Sequence, residues 1–148
     1  MSLAALFSGL ALANAGMGVI HGFAAPLGGR FHAPHGAICA AILPYGMEMN
    51  LRALRARAPQ NPALRRYQEI ATLLTGRADA AAEDGIAWVR KTCQALEIPP
   101  LKTYGMGEPD VPALIAEAAR ASSMKWNPLA LTSEELREVL MKAVKSDE

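Results

Sequence analysis

The only three histidines of this 148-residue chain, His21, His32 and His35, lie on one stretch rich in proline and glycine. His21 falls near the end of one predicted helix, and His35 follows fourteen positions later, at the start of the next. Two helices joined by a turn can direct both imidazoles to one point, and neutral imidazole is the commonest ligand for divalent metals of borderline softness. The spacing therefore permits His21 and His35 to supply two of the ligands of one metal site.

The spacing alone leaves a second interpretation open. His21 could instead be a hydrogen-bonded core residue, and His35 could bond the start of its helix. Two imidazoles also leave a tetrahedral metal site two ligands short. Before any resemblance to a known family is considered, a metal site at His21 and His35 therefore stays one of two alternatives.

Other chemistry is less well supported by the residues. Cys39 lies one helical turn beyond His35, which raises a Cys–His nucleophile, but its apolar neighbours favour an inert thiol. Cys39 and Cys93 form no CxxC pair and are interpreted as small core residues of a reduced, cytoplasmic protein. The glycines at 16, 18, 28 and 29 follow no predicted strand, so there is no dinucleotide-binding fingerprint. No catalytic or nucleotide-binding residue is predicted in this chain.

Composition indicates one globular domain over residues 1–148, with 51% hydrophobic and 20% charged residues. A net charge of +1 gives no electrostatic reason to expect a nucleic-acid partner. Arginines do cluster between 52 and 66, but no aromatic residues interleave with them. A solvated helical face is therefore favoured there over a phosphate-binding surface.

The first 29 residues contain no Asp, Glu, Lys or Arg, so a membrane span has to be considered. Ser8, Asn14, His21 and several glycines interrupt the apolar run, and no basic residue flanks its start. A helix buried inside a protein, without a membrane, is the preferred interpretation.

Apolar residues recur at helical spacing along the whole chain, which predicts an all-α fold of about six helices. The first is predicted to end at Pro26, before a loop at Gly28-Gly29, and Pro44 is predicted to kink or break the second. Asn61 and Gly76 are predicted to cap the third helix, and Thr132 begins a capping box for the last. The predicted helices span residues 3–23, 35–56, 61–76, 79–96, 111–121 and 132 onward.

Two segments of the chain resemble a known family. ANAGMGVIHGFAAPLGGRFHAPHG, followed by AAILPYGMEMN, is similar to the signature of the iron-containing (group III) alcohol dehydrogenases, which include lactaldehyde reductase and butanol dehydrogenases. ASSMKWNPLALTSEEL resembles the closing motif of that family, so the resemblance covers essentially the whole chain. It implies the C-terminal helical domain of a dehydroquinate-synthase-like architecture, without the Rossmann-like N-terminal domain.

The resemblance also implies a function. Members of this family hold Fe(II), or in some cases Zn(II), with one Asp and three His, and His21 and His35 match two of those histidines. The metal acts as a Lewis acid on the oxygen of a small alcohol or aldehyde while hydride passes to or from NAD(P). His32 lies where the family varies and is interpreted as a loop histidine.

Two departures from the family pattern matter. Many members carry a histidine four residues after the first ligand, where this chain has Ala25. The Asp, the third His and the nucleotide-binding domain lie upstream in the family, before the first residue of this sequence. We therefore expect weak metal binding, no activity of these residues alone, and either homo-oligomers or association with the missing N-terminal domain. The alternative is a non-catalytic helical module that oligomerises or binds a partner.

Overall fold

The computed structural model describes residues 2–145 and is all-helical over that range, as predicted. Three short 3₁₀ turns lie between α-helices. Leu101–Tyr104 and Glu108–Asp110 precede the sixth helix, and Ser122–Trp126 precedes the seventh. The α-helices are α1 (Ser2–Ala15), α2 (Val19–Phe31), α3 (His35–Arg57), α4 (Ala63–Thr75), α5 (Ala82–Ala95), α6 (Val111–Ala118) and α7 (Ser133–Lys145).

The main core lies where α2 packs on α3 and α6, and where α7 packs on α3 and α6. Burial of large apolar side chains stabilises each of these contacts. α4 and α5 pack against each other and against α3, around a smaller cluster. The largest fully buried side chains of the whole core are Phe23, Leu27, Ile38, Ile42, Leu54, Leu101, Leu114 and Leu140.

The helix predicted over residues 3–23 is wrong, because the chain breaks between Ala15 and Val19. α1 and α2 meet at an angle of 102°. Gly16 adopts the left-handed conformation, with φ of 71°, and a Cβ at this position would overlap the Trp126 ring. Only glycine provides both this backbone conformation and this close approach, so the break is built into the sequence.

The prediction that Pro26 ends the helix is also wrong, since α2 continues through it to Phe31. Gly28 and Gly29 are therefore helical, and the turn consists of His32, Ala33 and Pro34 instead. Proline inside a helix loses one hydrogen bond and crowds the preceding turn. Phe23 and Leu27 are fully buried on either side of Pro26, and tertiary burial of this kind outweighs local preference.

Pro44 does not break α3, which runs without interruption from His35 to Arg57. A residue with an N–H at position 44 would donate to the carbonyl of Ala40. The Cys93 thiol of α5 approaches that same carbonyl instead, with Sγ 3.6 Å from the oxygen. A side chain from another helix thus replaces the hydrogen bond that proline removes.

The predicted helix ends are largely confirmed. The Asn61 side chain accepts a hydrogen bond from the Ala63 N–H at 2.9 Å, and Gly76 closes α4 in the left-handed conformation. Thr132 and Glu135 form the predicted capping box, with side-chain to backbone distances of 3.2 and 2.7 Å. α5 starts three residues later than predicted, and Leu96, at the end of the predicted range, is exposed.

The three clustered arginines of α3 pair with carboxylates from other helices. Arg52 pairs with Glu138, Arg55 with Glu83 and Arg57 with Glu135. These glutamates lie on α5 and α7, far from the arginines in sequence. The contacts fit the predicted solvated face.

α1 was expected to be buried, but none of its residues is buried within this chain. Leu3, Leu6, Phe7 and Leu10 are each more than half exposed. Within the described part of the chain no single helix is long and apolar enough to cross a membrane, although the bent pair α1–α2 satisfies the length and composition criteria together.

Candidate metal site

His21 and His35 come together as the spacing predicts. Their ring centroids are 5.4 Å apart and the ring planes are inclined by 50°. His21 lies in the first turn of α2, not near the end of a helix as predicted, because the chain breaks before Val19. His35 is the first residue of α3.

Cys39 joins the two histidines. Its Sγ lies 3.5 Å from Nε2 of His35, one turn earlier on α3. One donor atom from each of His21, His35 and Cys39 can be chosen so that all three lie within 4.8 Å of one another. The sequence analysis noted that Cys39 lies one helical turn beyond His35 and interpreted it as an inert thiol and a small core residue. It did not predict that Cys39 lies beside His21, which depends on how α2 packs on α3.

Burial favours the neutral forms of both the His21 imidazole and the Cys39 thiol. Burial lowers the pKa of His21, and the neighbouring His35 lowers it further. A neutral imidazole has the free lone pair that metal ligation needs. Burial raises the pKa of the Cys39 thiol, which agrees with the expectation that it is a poor nucleophile.

The first turn of α2, which carries His21, is fixed by Asn127. The Asn127 Oδ1 accepts a hydrogen bond from the Val19 N–H at 3.1 Å, and Nδ2 donates to the Leu129 carbonyl at 2.9 Å. The amides of Asn127 and Asn50 also exchange two hydrogen bonds, of 2.7 and 3.2 Å. Because Asn50 is only 4% exposed, this network ties the start of α2 to the interior of α3.

α2 also approaches α3 closely at Gly46. A Cβ there would lie 3.2 Å from the side chains of Val19 and Ile20, tighter than an ordinary van der Waals contact. The absence of a side chain at position 46 thus lets the first turn of α2 rest directly on α3. Both helices that carry the cluster are held by the same packing.

His32 lies apart from the cluster. It ends α2 in the left-handed conformation, with φ of 49°, and its side chain is exposed. Of the three histidines, only His21 and His35 belong to the group that could hold a metal in the described part of the chain. The place of His32 in the turn agrees with its interpretation as a loop residue.

The donor set fits a divalent metal of borderline softness, since two imidazoles and a thiol are ligands of that kind. A tetrahedral ion held by these three donors would take one further ligand. His35 is exposed, so the cluster is accessible to solvent.

Comparison with known proteins gives consistent matches. Residues 1–144 match the family described as "Fe-containing alcohol dehydrogenase family, C-terminal". The chain is 31% identical to alcohol dehydrogenase 4 of Saccharomyces cerevisiae over 144 residues, which is 97% of this chain and 36% of that protein. It is also 31% identical to 1,3-propanediol dehydrogenase of Klebsiella pneumoniae, with the same coverage of 97% and 36%.

A solved structure has the same helical arrangement. The crystal structure of a 1,3-propanediol oxidoreductase superposes with a TM-score of 0.82 at 27% identity, covering 95% of this chain and 36% of the other. The chain therefore spans about a third of the length of the relatives it matches.

Proposed function

Because this chain belongs to the iron-containing alcohol dehydrogenase family, as its sequence resemblance implied, we propose that it is the metal-binding, substrate-side part of an NAD(P)-dependent alcohol dehydrogenase or aldehyde reductase. His21 and His35 are the proposed metal ligands, with Fe(II) as the family's usual ion and Zn(II) as the alternative. The observation that carries the proposal is the approach of these two imidazoles, 5.4 Å apart, from separate helices.

The residues of this chain would contribute position and protonation state. The network from Asn127 holds the first turn of α2, which carries His21 opposite His35. Its lowered pKa keeps the His21 imidazole available as a ligand in neutral solution. A divalent ion bound here would supply Lewis-acid polarisation of the substrate oxygen during hydride transfer.

The substrate class and the nucleotide are also part of the proposal. Relatives are alcohol and 1,3-propanediol dehydrogenases, which supports a small alcohol or aldehyde. NAD(P) would bind mainly outside these residues, because the described part of the chain is helical and lacks the strand–turn–helix of a dinucleotide fingerprint.

Metal analysis of the purified chain tests the ligand assignment. The metal-free protein is dialysed against Fe(II) without oxygen, or against Zn²⁺, and bound metal is measured by elemental analysis. We expect His21→Ala and His35→Ala to lose most of the metal. His32→Ala is the matched control and should retain it, because His32 is exposed and outside the cluster. Equal metal content in all four proteins would contradict the assignment.

An activity assay tests whether these 148 residues are sufficient for catalysis. We expect the 148-residue chain alone to give no alcohol-dependent reduction of NAD or NADP, measured by absorbance of the reduced nicotinamide. Reduction that depends on both alcohol and chain would overturn this expectation.

The second candidate function is a helical oligomerisation or partner-binding module without catalysis. The exposed apolar residues of α1 favour it, since large contiguous apolar patches on a surface mark sites of association. This candidate predicts assembly without any metal. If the metal analysis finds no bound ion and the chain still assembles, the second candidate replaces the first.

A further inference from the structure

Cys39 and His35 are arranged as a chelating pair on one helix. They are four residues apart on α3, the spacing at which side chains lie one above the other on a helical face. The Sγ and Nε2 atoms are 3.5 Å apart. In a tetrahedral zinc site, a sulfur at about 2.3 Å and a nitrogen at about 2.0–2.1 Å from the metal are about 3.5 Å from each other. The separation already present therefore suits one shared ion.

His21 completes the group from a second helix. Its donor nitrogen lies within 4.8 Å of the donor nitrogen of His35 and of the Cys39 Sγ. Two imidazole nitrogens on one tetrahedral ion are about 3.4 Å apart, so the donors lie within about 1.4 Å of the separations that one shared ion requires.

We propose that Cys39 is a third metal ligand, so that His21, His35 and Cys39 form a His₂Cys site that prefers Zn²⁺ to Fe(II). This inference rests on the proposed function, because it adds a ligand to the same histidine pair. Binding forms a metal–sulfur bond and releases the thiol proton to solvent. The preference follows from ligand softness, since thiolate suits Zn²⁺ and nitrogen–sulfur sites bind Zn²⁺ more tightly than Fe(II).

The site would then have three protein ligands and one open position. That is the usual arrangement of catalytic zinc sites, in which water or substrate takes the fourth place. His35 is exposed, so water or a substrate could reach the ion at this cluster. These residues would retain the ion without ligands from elsewhere, in contrast to the weak binding expected of two histidines alone.

Cobalt titration of the full 148-residue chain tests the proposal. Co²⁺ replaces Zn²⁺ in such sites and reports a bound thiolate through a charge-transfer band in the near ultraviolet. We expect the band in the unaltered chain and in Cys93→Ser. This variant is the matched control, because the Cys93 thiol of the unaltered chain contacts a backbone carbonyl outside the cluster. We expect Cys39→Ser and His21→Ala to lose it. Zn²⁺ binding should weaken by about 100-fold or more in Cys39→Ser, because even loss of an outer-shell partner costs about 10–100-fold.

The outcomes separate this inference from the proposed function. Cobalt that binds without the band, and still requires His21 and His35, would overturn the role of Cys39 and leave the histidine pair intact. No binding by the unaltered chain would overturn both. A band that persists in His21→Ala would overturn the His₂Cys site.

A second measurement keeps the test decisive if Cys39→Ser fails to fold. X-ray absorption of the zinc-loaded unaltered chain and of Cys93→Ser should show one sulfur at about 2.3 Å from the metal. Absence of sulfur from the first shell would overturn the proposal. Zn²⁺ binding at least 10-fold tighter than Fe(II) binding, measured by competition without oxygen, would support the stated preference, and equal affinities would contradict it.

Discussion

Cys93 has a structural role that explains how α3 tolerates a proline. Pro44 cannot donate to the Ala40 carbonyl, and an unpaired buried carbonyl costs about 1–3 kcal/mol. The Cys93 thiol reaches that carbonyl from α5 at 3.6 Å. Pro44 and Cys93 therefore act on one acceptor, and their substitutions should not be independent.

A double-mutant cycle tests this coupling. Cys93→Ala should lower the free energy of unfolding by about 1 kcal/mol, because the Ala40 carbonyl loses its donor. In the Pro44→Ala background the backbone N–H of residue 44 can donate instead, so Cys93→Ala should cost less. Denaturant unfolding of the four proteins measures the difference. Equal costs in both backgrounds would show that the thiol does not replace the missing bond.

His21 and His35 could be selected from the sequence, because the family resemblance implies that they are metal ligands and their spacing permits them to meet. Asn127 could not. It caps the Val19 N–H from 108 positions away, and no local pattern connects the two residues. Cys39 could be predicted only in part. Its spacing from His35 is visible in the sequence, but its place beside His21 depends on how α2 packs on α3.

At the scale of elements, α2 depends on a cap supplied from outside the helix. Gly18 precedes α2 and has no side chain to accept from its first N–H groups. The Asn127 amide oxygen accepts from the Val19 N–H instead. Bonds to Val19, Asn50 and Leu129 together satisfy all four hydrogen-bonding positions of the Asn127 amide. The start of α2 and the position of His21 therefore share one anchor.

We expect Asn127→Ala to lower the free energy of unfolding by about 2–4 kcal/mol, since α2 loses its cap and the buried Asn50 amide loses its partner. Metal affinity should fall as well, because the first turn of α2 carries His21. Asn127→Asp keeps the oxygen that accepts from Val19 but loses the donations to Asn50 and Leu129, so comparing its cost with that of Asn127→Ala separates the cap from the rest of the network. Unfolding and metal titration measure both effects. Unchanged metal affinity in Asn127→Ala would contradict the positioning role.

Ion pairs hold α7 against α3 and supply a pH-dependent part of the stability. Arg52 of α3 donates to both carboxylate oxygens of Glu138, at 2.9 and 2.5 Å, and Lys142 lies 3.2 Å from the same carboxylate. The hydrogen bond from Arg52 lowers the pKa of Glu138, burial opposes this shift, and the hydrogen bond from Lys142 adds to it. The paired form is therefore favoured in the folded chain.

Glu138→Gln should lower the free energy of unfolding by about 0.5–1 kcal/mol at neutral pH, a modest amount because the pair is partly exposed. A lowered folded pKa stabilises the fold above the ordinary pKa of Glu and loses that effect as pH falls through the folded value. The difference between the two proteins should thus shrink below about pH 4.5, and also in high salt. Unfolding curves across this pH range measure it. A difference that stays constant into acid would contradict the assignment.

The predicted elements failed where distant residues override local preference. Pro26 is a helix breaker in sequence, yet α2 continues because Phe23 and Leu27 are buried on other helices. Gly16 looked like one of several glycines within a helix, and only the Trp126 ring against it explains the break at that position. The ends of α4 and the start of α7 were predictable because their caps are local.

At the scale of the whole molecule, α1 is the one α-helix without a buried residue in the described part of the chain. It leaves α2 at 102° and packs no buried residue against the rest of the chain. Leu3, Leu6, Phe7 and Leu10 follow the spacing that forms one helical stripe. Isolated helices of this length are marginal in water, so we expect this stripe to be covered by a second copy in solution.

Charge placed on that stripe should dissociate the assembly. Phe7→Glu and Leu10→Glu put carboxylates where apolar contact would otherwise be made, and burial of an unpaired charge is strongly unfavourable. Sedimentation equilibrium should show self-association of the unaltered chain and a shift toward monomer in both variants. Leu73→Glu is the matched control, because Leu73 of α4 is 81% exposed and lies outside the stripe. A monomeric unaltered chain, or equal masses for all four proteins, would show that α1 does not mediate self-association.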